Sequence, residues 1–305
     1  MAGSGAAIEP LVDVAIVTWN TRETTLTALR ALLASEPPGT LAVHVRDNGS
    51  SDGTAAAVRA AFPEVTVDSG EANLGFAGGV NTILGAVRSP WVLLLNPDAW
   101  PEPGAISRLV ACAARHPRAA AVAPKLLRPD DRLEASAWPF PSLRVTFASA
   151  LRRDRAIWPH DAERRVDWAV GAALLIRREA LAEIGGLDES LFMYAEDLEW
   201  CWRAHDRGWE VWFTPDAVVR HIGNVSGAQQ YGERQPAAWI ANSVAVYRRR
   251  RGAIATGAWR FANAASAAIH ARRARRSGDA AAADQLRQQK DAWLHPTAGA
   301  DGATA

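Results

Sequence analysis

Trp91-Val-Leu-Leu-Leu-Asn-Pro-Asp98 is the stretch on which the fold turns. Its first five residues are uniformly apolar and read as a strand buried on both faces. The run stops at Asn96-Pro97-Asp98, where Pro97 cannot donate to a sheet ladder and a carboxylate is set free at the strand's carboxyl end. In open α/β sheets that edge is where ligands bind. With acids and a histidine arriving later in the chain, Asp98 suggests a metal-diphosphate site. On this stretch alone, a buried strand followed by an ordinary Asx turn is an equal reading.

Strands and helices alternate on either side of it. Val12–Thr18 reads as a first strand, followed by a helix over 21–34 with Leu26, Leu29, Leu32 and Leu33 on one face and Thr21 or Thr24 as its cap. Leu41–Val45 is a second strand, Thr54–Phe62 a helix and Val65–Val67 a third strand. A glycine-rich loop, Asn73–Asn81, opens a helix expected to reach Val87. Further helices are expected over 104–115 and 178–184, the latter closed by Gly185-Gly186, and a helix holds Glu196-Asp197-Leu198-Glu199-Trp200. Val170–Ile176, Trp209–Phe213 and Val218–His221 read as strand-like. This alternation predicts an α/β fold, a Rossmann-like, mainly parallel central sheet with helices on both faces. The segment 128–167, rich in proline and tryptophan and weakly periodic, is expected to be a long functional excursion.

The 305 residues, 49% hydrophobic and 22% charged, can bury a substantial core. A formal net charge of +1 argues against a nucleic-acid binder. Cys112 and Cys201 lie in no metal-type spacing, which fits a reducing cytoplasm without disulfides. Residues 1–10 carry neither a basic nor an apolar leader region and are expected to be flexible. Beyond residue 241 the chain changes character. Residues 242–295 are expected to form basic helices, with Arg248–Arg251, Arg272-Arg273 and Arg275-Arg276 among alanines, and 296–305 a disordered tail. Residues 248–276 read either as a peripheral membrane contact or as a solvated helical tail.

Several clusters carry chemistry. Asp47-Asn48-Gly49-Ser50-Ser51-Asp52-Gly53 follows a strand, where a carboxylate can accept from a pyrimidine imide or from ribose hydroxyls; a plain turn is the competing reading. The loop Asn73–Asn81 does not match the dinucleotide fingerprint, which argues against a nicotinamide or S-adenosylmethionine domain. Its glycines admit phosphate or sugar to a helix N-terminus, or simply make a tight junction. Asp98 is suited to Mg²⁺ or Mn²⁺ and needs a further ligand, for which His221 is the candidate. Glu196, Asp197 and Glu199 either start an acidic helix or supply, at Asp197, a general base.

Taken in order, Val14–Asn20, Asp47–Gly53, Asn73–Gly79, Asn96-Pro97-Asp98, Gly185–Glu189 and Glu196–Arg203 resemble the family-two inverting glycosyltransferases of GT-A fold, in their rhamnosyltransferase-like branch. The resemblance runs from about Val12 to His221. It implies a GT-A domain over 11–241, with a nucleotide-sugar-binding half (11–127) and an acceptor half (128–241). By resemblance Asp47 contacts the base, Asp98 is the metal-binding member of a DxD-type motif with Asn96 in place of the first acid, and His221 is a second ligand to the divalent metal. Asp197 is then the general base, while Asp188 and Glu189 lie near the acceptor. Thr18, Asn20, Asn48, Asp52, Asn73, Gly75, Gly79, Asn81, Asn96, Glu196 and Arg203 fall in the same motifs and are expected at the substrates. The implied donor is dTDP-rhamnose and the implied acceptor a saccharide, polysaccharide or polyprenyl-diphosphate-linked saccharide. A UDP- or GDP-sugar hexosyltransferase of this fold and a non-catalytic nucleotide-sugar binder are the alternatives. The implied place is the cytoplasm, or the inner face of the membrane if the basic segment binds lipid. A nucleotidyltransferase would want a glycine-rich loop after the first strand, where Thr18-Trp19-Asn20-Thr21-Arg22 stands instead.

Overall fold

β1 (Val12–Thr18), β2 (Leu41–Asp47), β3 (Thr66–Ser69) and β4 (Trp91–Leu95) lie parallel in the order β3-β2-β1-β4, connected by α1 (Arg22–Ser35), α2 (Thr54–Ala61) and α3 (Gly75–Leu84). A computed structural model of the chain describes residues 10–151, 159–223, 230–232 and 235–296. Register pairs Thr18 with Asp47, so the ends of β1 and β2 share the edge at which Asn96-Pro97-Asp98 leaves β4. Along β4, Val92 and Leu94 enter one core cluster while Trp91, Leu93 and Leu95 enter the other. The strand is buried on both faces, and its alternation divides the two cores.

The second half of the chain contributes β5 (Ala99–Pro101), α4 (Ala105–Arg115), β6 (Ala119–Leu127), β7 (Leu133–Glu134), β8 (Ala137–Trp138), α5 (Leu143–Leu151), β9 (Arg164–Val166), β10 (Trp168–Ala169), β11 (Ala173–Arg177), α6 (Arg178–Ile184), α7 (Glu196–Asp206) and β12 (Glu210–His221). The sheet continues β4-β11-β6-β12-β5, with β7 on β6 and β9 on β12, while β8 and β10 form a separate ribbon. Here the expectation of a mainly parallel sheet is corrected to a mixed one. β11 runs antiparallel to both β4 and β6. Its chain enters from Val170–Ala172, already at the carboxyl edge, so it must run back across the sheet. The strand expected from Val170 accordingly starts at Ala173.

Other boundaries differ for local reasons. α3 ends at Leu84, short of Val87, as Gly85 and Ala86 turn the chain. The Thr21 hydroxyl does not cap α1; it bonds Thr18 and Thr25. The two strands expected after Trp209 are one, β12, with a register irregularity between Thr214 and Val218. The 128–167 excursion holds β7, β8, α5 and β9. Cys112 and Cys201 are buried free thiols.

One face of the sheet packs on Leu26, Leu29 and Leu32 of α1 with Ile106 and Leu109 of α4. The other packs on α3, α6 and α7 through Val80, Ile184, Leu198 and Trp200. α8 (Gln235–Arg276, broken at Gly252) and α9 (Ala280–Leu294) join this second core by Tyr247, Trp259 and Trp293. Among the described residues no helix is long and apolar enough to cross a membrane. Apart from Pro10 and Pro296, the expected flexible N-terminus and disordered tail lie outside the described residues.

Candidate active site

The parallel register brings three chain segments to one edge. Thr18 ends β1 fully buried, its hydroxyl 2.7 Å from that of Thr21 and 2.9 Å from that of Thr25. Asp47 ends β2, 2% exposed, and its carboxylate accepts from the Ser50 N–H at 2.8 Å. The Asn48 amide donates to the Gly75 carbonyl (2.9 Å) and to Asn73 Oδ1 (3.3 Å), and Asn73 Oδ1 also accepts the Gly75 N–H. This bonding seats the glycine-rich loop against β2. Gly75 has φ +71° and Gly79 lies where a Cβ would be 2.7 Å from Val17, so both glycines serve close packing. Thr18, Asn48, Asn73 and Gly75 all line one cleft.

The same cleft is lined by Asp98 and His221, 2% and 6% exposed. β5 and β12 are paired antiparallel, with His221 registered on Ala99, and this places the imidazole beside the acid. His221 Nε2 lies 3.4 Å from Asp98 Oδ1 and 3.4 Å from Asn96 Nδ2. Its Nδ1 lies 3.2 Å from Glu134 Oε2, and Glu134 is in turn paired with Arg128 at 3.1 Å. Burial opposes the charged imidazolium, but hydrogen bonds to Asp98 and Glu134 outweigh it and raise His221 to about 9. A carboxylate and an imidazole sharing one point, with a second carboxylate fixing the far ring nitrogen, is a donor set that fits a divalent cation.

Asp197 occupies the first turn of α7 and lines the same cleft. Its Oδ2 accepts the Gly171 N–H at 2.9 Å and its Oδ1 the Leu198 N–H at 2.7 Å. Burial raises its affinity for a proton more than these two donors lower it. Glu196 is raised further, by its own burial and by the adjacent Asp197, and its Oε2 has no hydrogen-bond partner among the described residues. The turn into α7 is strained: Tyr194 and Ala195 stand consecutively at φ +76° and +67°. An anchored carboxylate of raised proton affinity, in the same cleft as the Asp98–His221 pair, is suited to take a proton.

Other residues expected at the substrates are placed elsewhere, in the frame. The Asn20 amide accepts from Ser51 N–H, joining the first two edge loops, and Asp52 accepts from Arg22 and Thr54 to start α1 and α2. Asn81 clamps Leu187 at 2.9 Å in both directions and donates to Glu189 at 2.8 Å. Asp188 accepts from Ser190 and pairs with Arg249 at 2.7 Å. Arg203 pairs with Glu199 and donates to the carbonyls of Ile184 and Gly186. None of these side chains, nor Asp47, Gly79 or Glu189, lines the cleft. The Asn81 and Arg203 side chains are instead bonded to backbone groups of the Ile184–Leu187 segment. Conversely, Glu134, Gly171, Trp168 and Trp239 line the cleft without having been read from sequence. Glu134, Trp168 and Gly171 come from the aperiodic 128–167 region and its flank, and Trp239 from α8, where no spacing signalled them.

A second group of metal-type side chains, Cys112, His116 and Glu163, lies at the far end of α4. Burial opposes ionisation of Glu163, yet hydrogen bonds with Arg115 and His116 hold it at about 2, so its charge is already matched by Arg115.

The sequence profile described as Glycosyltransferase like family 2 matches residues 10–251. An N-acetylglucosaminyl-diphospho-decaprenol L-rhamnosyltransferase of Mycobacterium tuberculosis is 36% identical over 214 residues, covering 62% of this chain and 68% of that protein. A pre-mycofactocin glycosyltransferase of the same species is 29% identical over 156 residues, covering 48% and 30%. Among solved structures, the mannosyltransferase PcManGT of Pyrobaculum calidifontis, in complex with GDP-Man and Mn²⁺, matches with a TM-score of 0.58 at 19% identity, covering 94% of this chain and 85% of that one. S. aureus TarS matches with a TM-score of 0.53 at 15% identity, covering 94% and 92%. These likenesses establish the GT-A fold. With the family profile spanning most of its length, the chain belongs to the family-two glycosyltransferases and is a glycosyltransferase enzyme.

Proposed function

We propose that the enzyme transfers L-rhamnose from dTDP-rhamnose to a hydroxyl of a polyprenyl-diphosphate-linked saccharide, with inversion at the anomeric carbon. The observation that carries this reading is the single cleft in which Asp197, fixed by two backbone N–H groups, shares walls with Asp98 and His221. The choice of sugar and acceptor is supported by the 36% identity to the decaprenol-linked rhamnosyltransferase.

The chemistry follows from the residues. Asp197 accepts the proton of the acceptor hydroxyl as its oxygen forms a bond to the anomeric carbon. The bond from that carbon to the diphosphate oxygen breaks on the opposite face, and its electron pair leaves with the nucleoside diphosphate. Asp98 and His221 would hold a divalent cation, which when bound neutralises charge on the diphosphate. Glu134 fixes the His221 ring, and the Asn48–Gly75 bond holds the glycine-rich loop for the donor. One carboxylate suffices at the sugar, because departure is assisted at the diphosphate. The domain is proposed to span 11–241, with 242–295 as a helical appendage whose basic face meets the membrane peripherally at its inner surface.

Thermal stabilisation by a panel of nucleotide sugars, with and without Mn²⁺, tests the reading. A donor at about 100 times its Kd adds about 2.7 kcal/mol to the folded state. dTDP-rhamnose is expected to stabilise strongly and only with metal. Stabilisation by UDP- or GDP-sugars in its place would overturn the donor assignment.

A further inference from the structure

A groove larger than the catalytic cleft stands beside it. It lies between α5 and the helices α8 and α9 and encloses about 1350 Å³, above the about 300–1,000 Å³ typical of small-molecule pockets. Trp168, Val170 and Trp239 line both, so the groove adjoins the cleft that holds Asp197. Its lining gathers tryptophans, among them Trp138, Trp239, Trp259 and Trp293, with aliphatic and polar side chains. Trp259 stacks on Tyr247 at 4.4 Å and meets Trp293 edge-on at 4.9 Å, while Trp239 meets Trp293 at 6.3 Å.

Two further observations distinguish it from loose packing between helices. Ser243 stands one turn beyond Trp239 on α8, lines the groove and is 1% exposed, and its hydroxyl has no hydrogen-bond partner among the described residues. A buried hydroxyl left unmatched costs about 1–3 kcal/mol, which a polar ligand atom would recover. At the other end, Arg273 and Arg276 line the groove in the last turn of α8. From Trp259 to Arg273 the helix covers about 21 Å at 1.5 Å per residue. The groove therefore has a polar point near the catalytic cleft, a tryptophan-lined stretch, a middle of small and polar side chains that includes Asn263, Ser266 and Ala267, and a cationic mouth.

We propose that this groove holds the hydrocarbon chain of the acceptor: the saccharide lies in the cleft at Asp197, the polar linkage passes Ser243, and the chain runs along Trp259 and Trp293 to leave between Arg273 and Arg276. This rests on the lipid-linked acceptor assigned above. The cationic mouth complements the anionic surface of the membrane in which the rest of such a chain would lie. Family-two chemistry requires only the cleft, so the groove explains why a helical appendage is packed against it.

Calorimetric binding of farnesyl diphosphate to the full chain, with inorganic diphosphate as control, tests the groove independently of transfer. Saturable binding of farnesyl diphosphate, at least tenfold tighter than inorganic diphosphate, is expected. Ser266→Trp, which fills the groove, should weaken it at least tenfold while stabilisation by nucleotide sugar persists. Ala274→Phe serves if Ser266→Trp does not fold. In transfer assays, either variant should raise at least tenfold the ratio of KM for a long-chain acceptor to KM for the same saccharide diphosphate on a short alkyl chain. Equal binding of farnesyl and inorganic diphosphate, or unchanged affinity in both variants, would overturn the assignment. If wild-type protein transfers no sugar yet binds farnesyl diphosphate in a groove-dependent way, the transferase reading fails and the hydrocarbon site stands.

Discussion

His221 owes its geometry to two carboxylates on opposite sides of one ring. Asp98 faces Nε2 and Glu134 faces Nδ1, and the ring is buried between them. Such an outer carboxylate fixes the tautomer and orientation of a metal-binding histidine, and its loss commonly costs about 10–100-fold in metal affinity. Glu134→Gln is therefore expected to raise the Kd for Mn²⁺ about tenfold or more, read by titrating thermal stability against metal. An unchanged Kd would show that Glu134 serves only Arg128. Asp98 and His221 were legible in the sequence because each ends an apolar strand, where side chains are delivered to the ligand edge. Glu134 was not, since it sits in a two-residue strand whose flanks carry no periodicity. Asn81 and Arg203 fall in motifs that look like substrate contacts, but a motif records packing as readily as binding. Their side chains close the α6 terminus.

Between elements, the link that matters joins the glycine-rich loop to the turn before α7. The Phe76 N–H donates to the Phe192 carbonyl at 2.8 Å, and a Cβ on Gly75 would lie 2.2 Å from that same oxygen. With φ at +71°, an alanine there is strained as well as obstructed. Phe192 is followed by the left-handed pair Tyr194 and Ala195, which aim Asp197, so the donor loop and the proposed base are positioned together. Gly75→Ala is expected to destabilise the fold by about 1–3 kcal/mol and to lower kcat as Asp197 shifts. A variant with unchanged Tm and kcat would show the two elements to be independent. Strong apolar runs made β1, β2 and β4 readable. β6, with four alanines among its first five residues and a proline inside, and the short β5 were not, because their strand character comes from the strands they pair with, β11 and β12 for β6 and β12 alone for β5. β11 was legible as a strand but not in direction, which depends on where the chain re-enters the sheet.

At the scale of the molecule, one sheet edge gathers a glycine-rich loop, a carboxylate–imidazole pair and an anchored carboxylate, and a tryptophan-lined groove adjoins it. The α/β class and the order of motifs were contained in the sequence. The groove was not, since its walls are drawn from α5, α8 and α9, residues far apart in the chain whose spacing suggested only basic helices. Turnover and donor binding in Asp197→Asn test inverting transfer with Asp197 as the base. That side chain is nearly isosteric, keeps an oxygen for the Gly171 N–H and cannot take the acceptor's proton. With dTDP-rhamnose, Mn²⁺ and a polyprenyl-diphosphate-linked saccharide, wild type should give an anomerically inverted product. Asp197→Asn should bind the donor normally and lose about 10²–10⁴-fold in kcat. Normal turnover in that variant, or a product of retained configuration, would contradict the account.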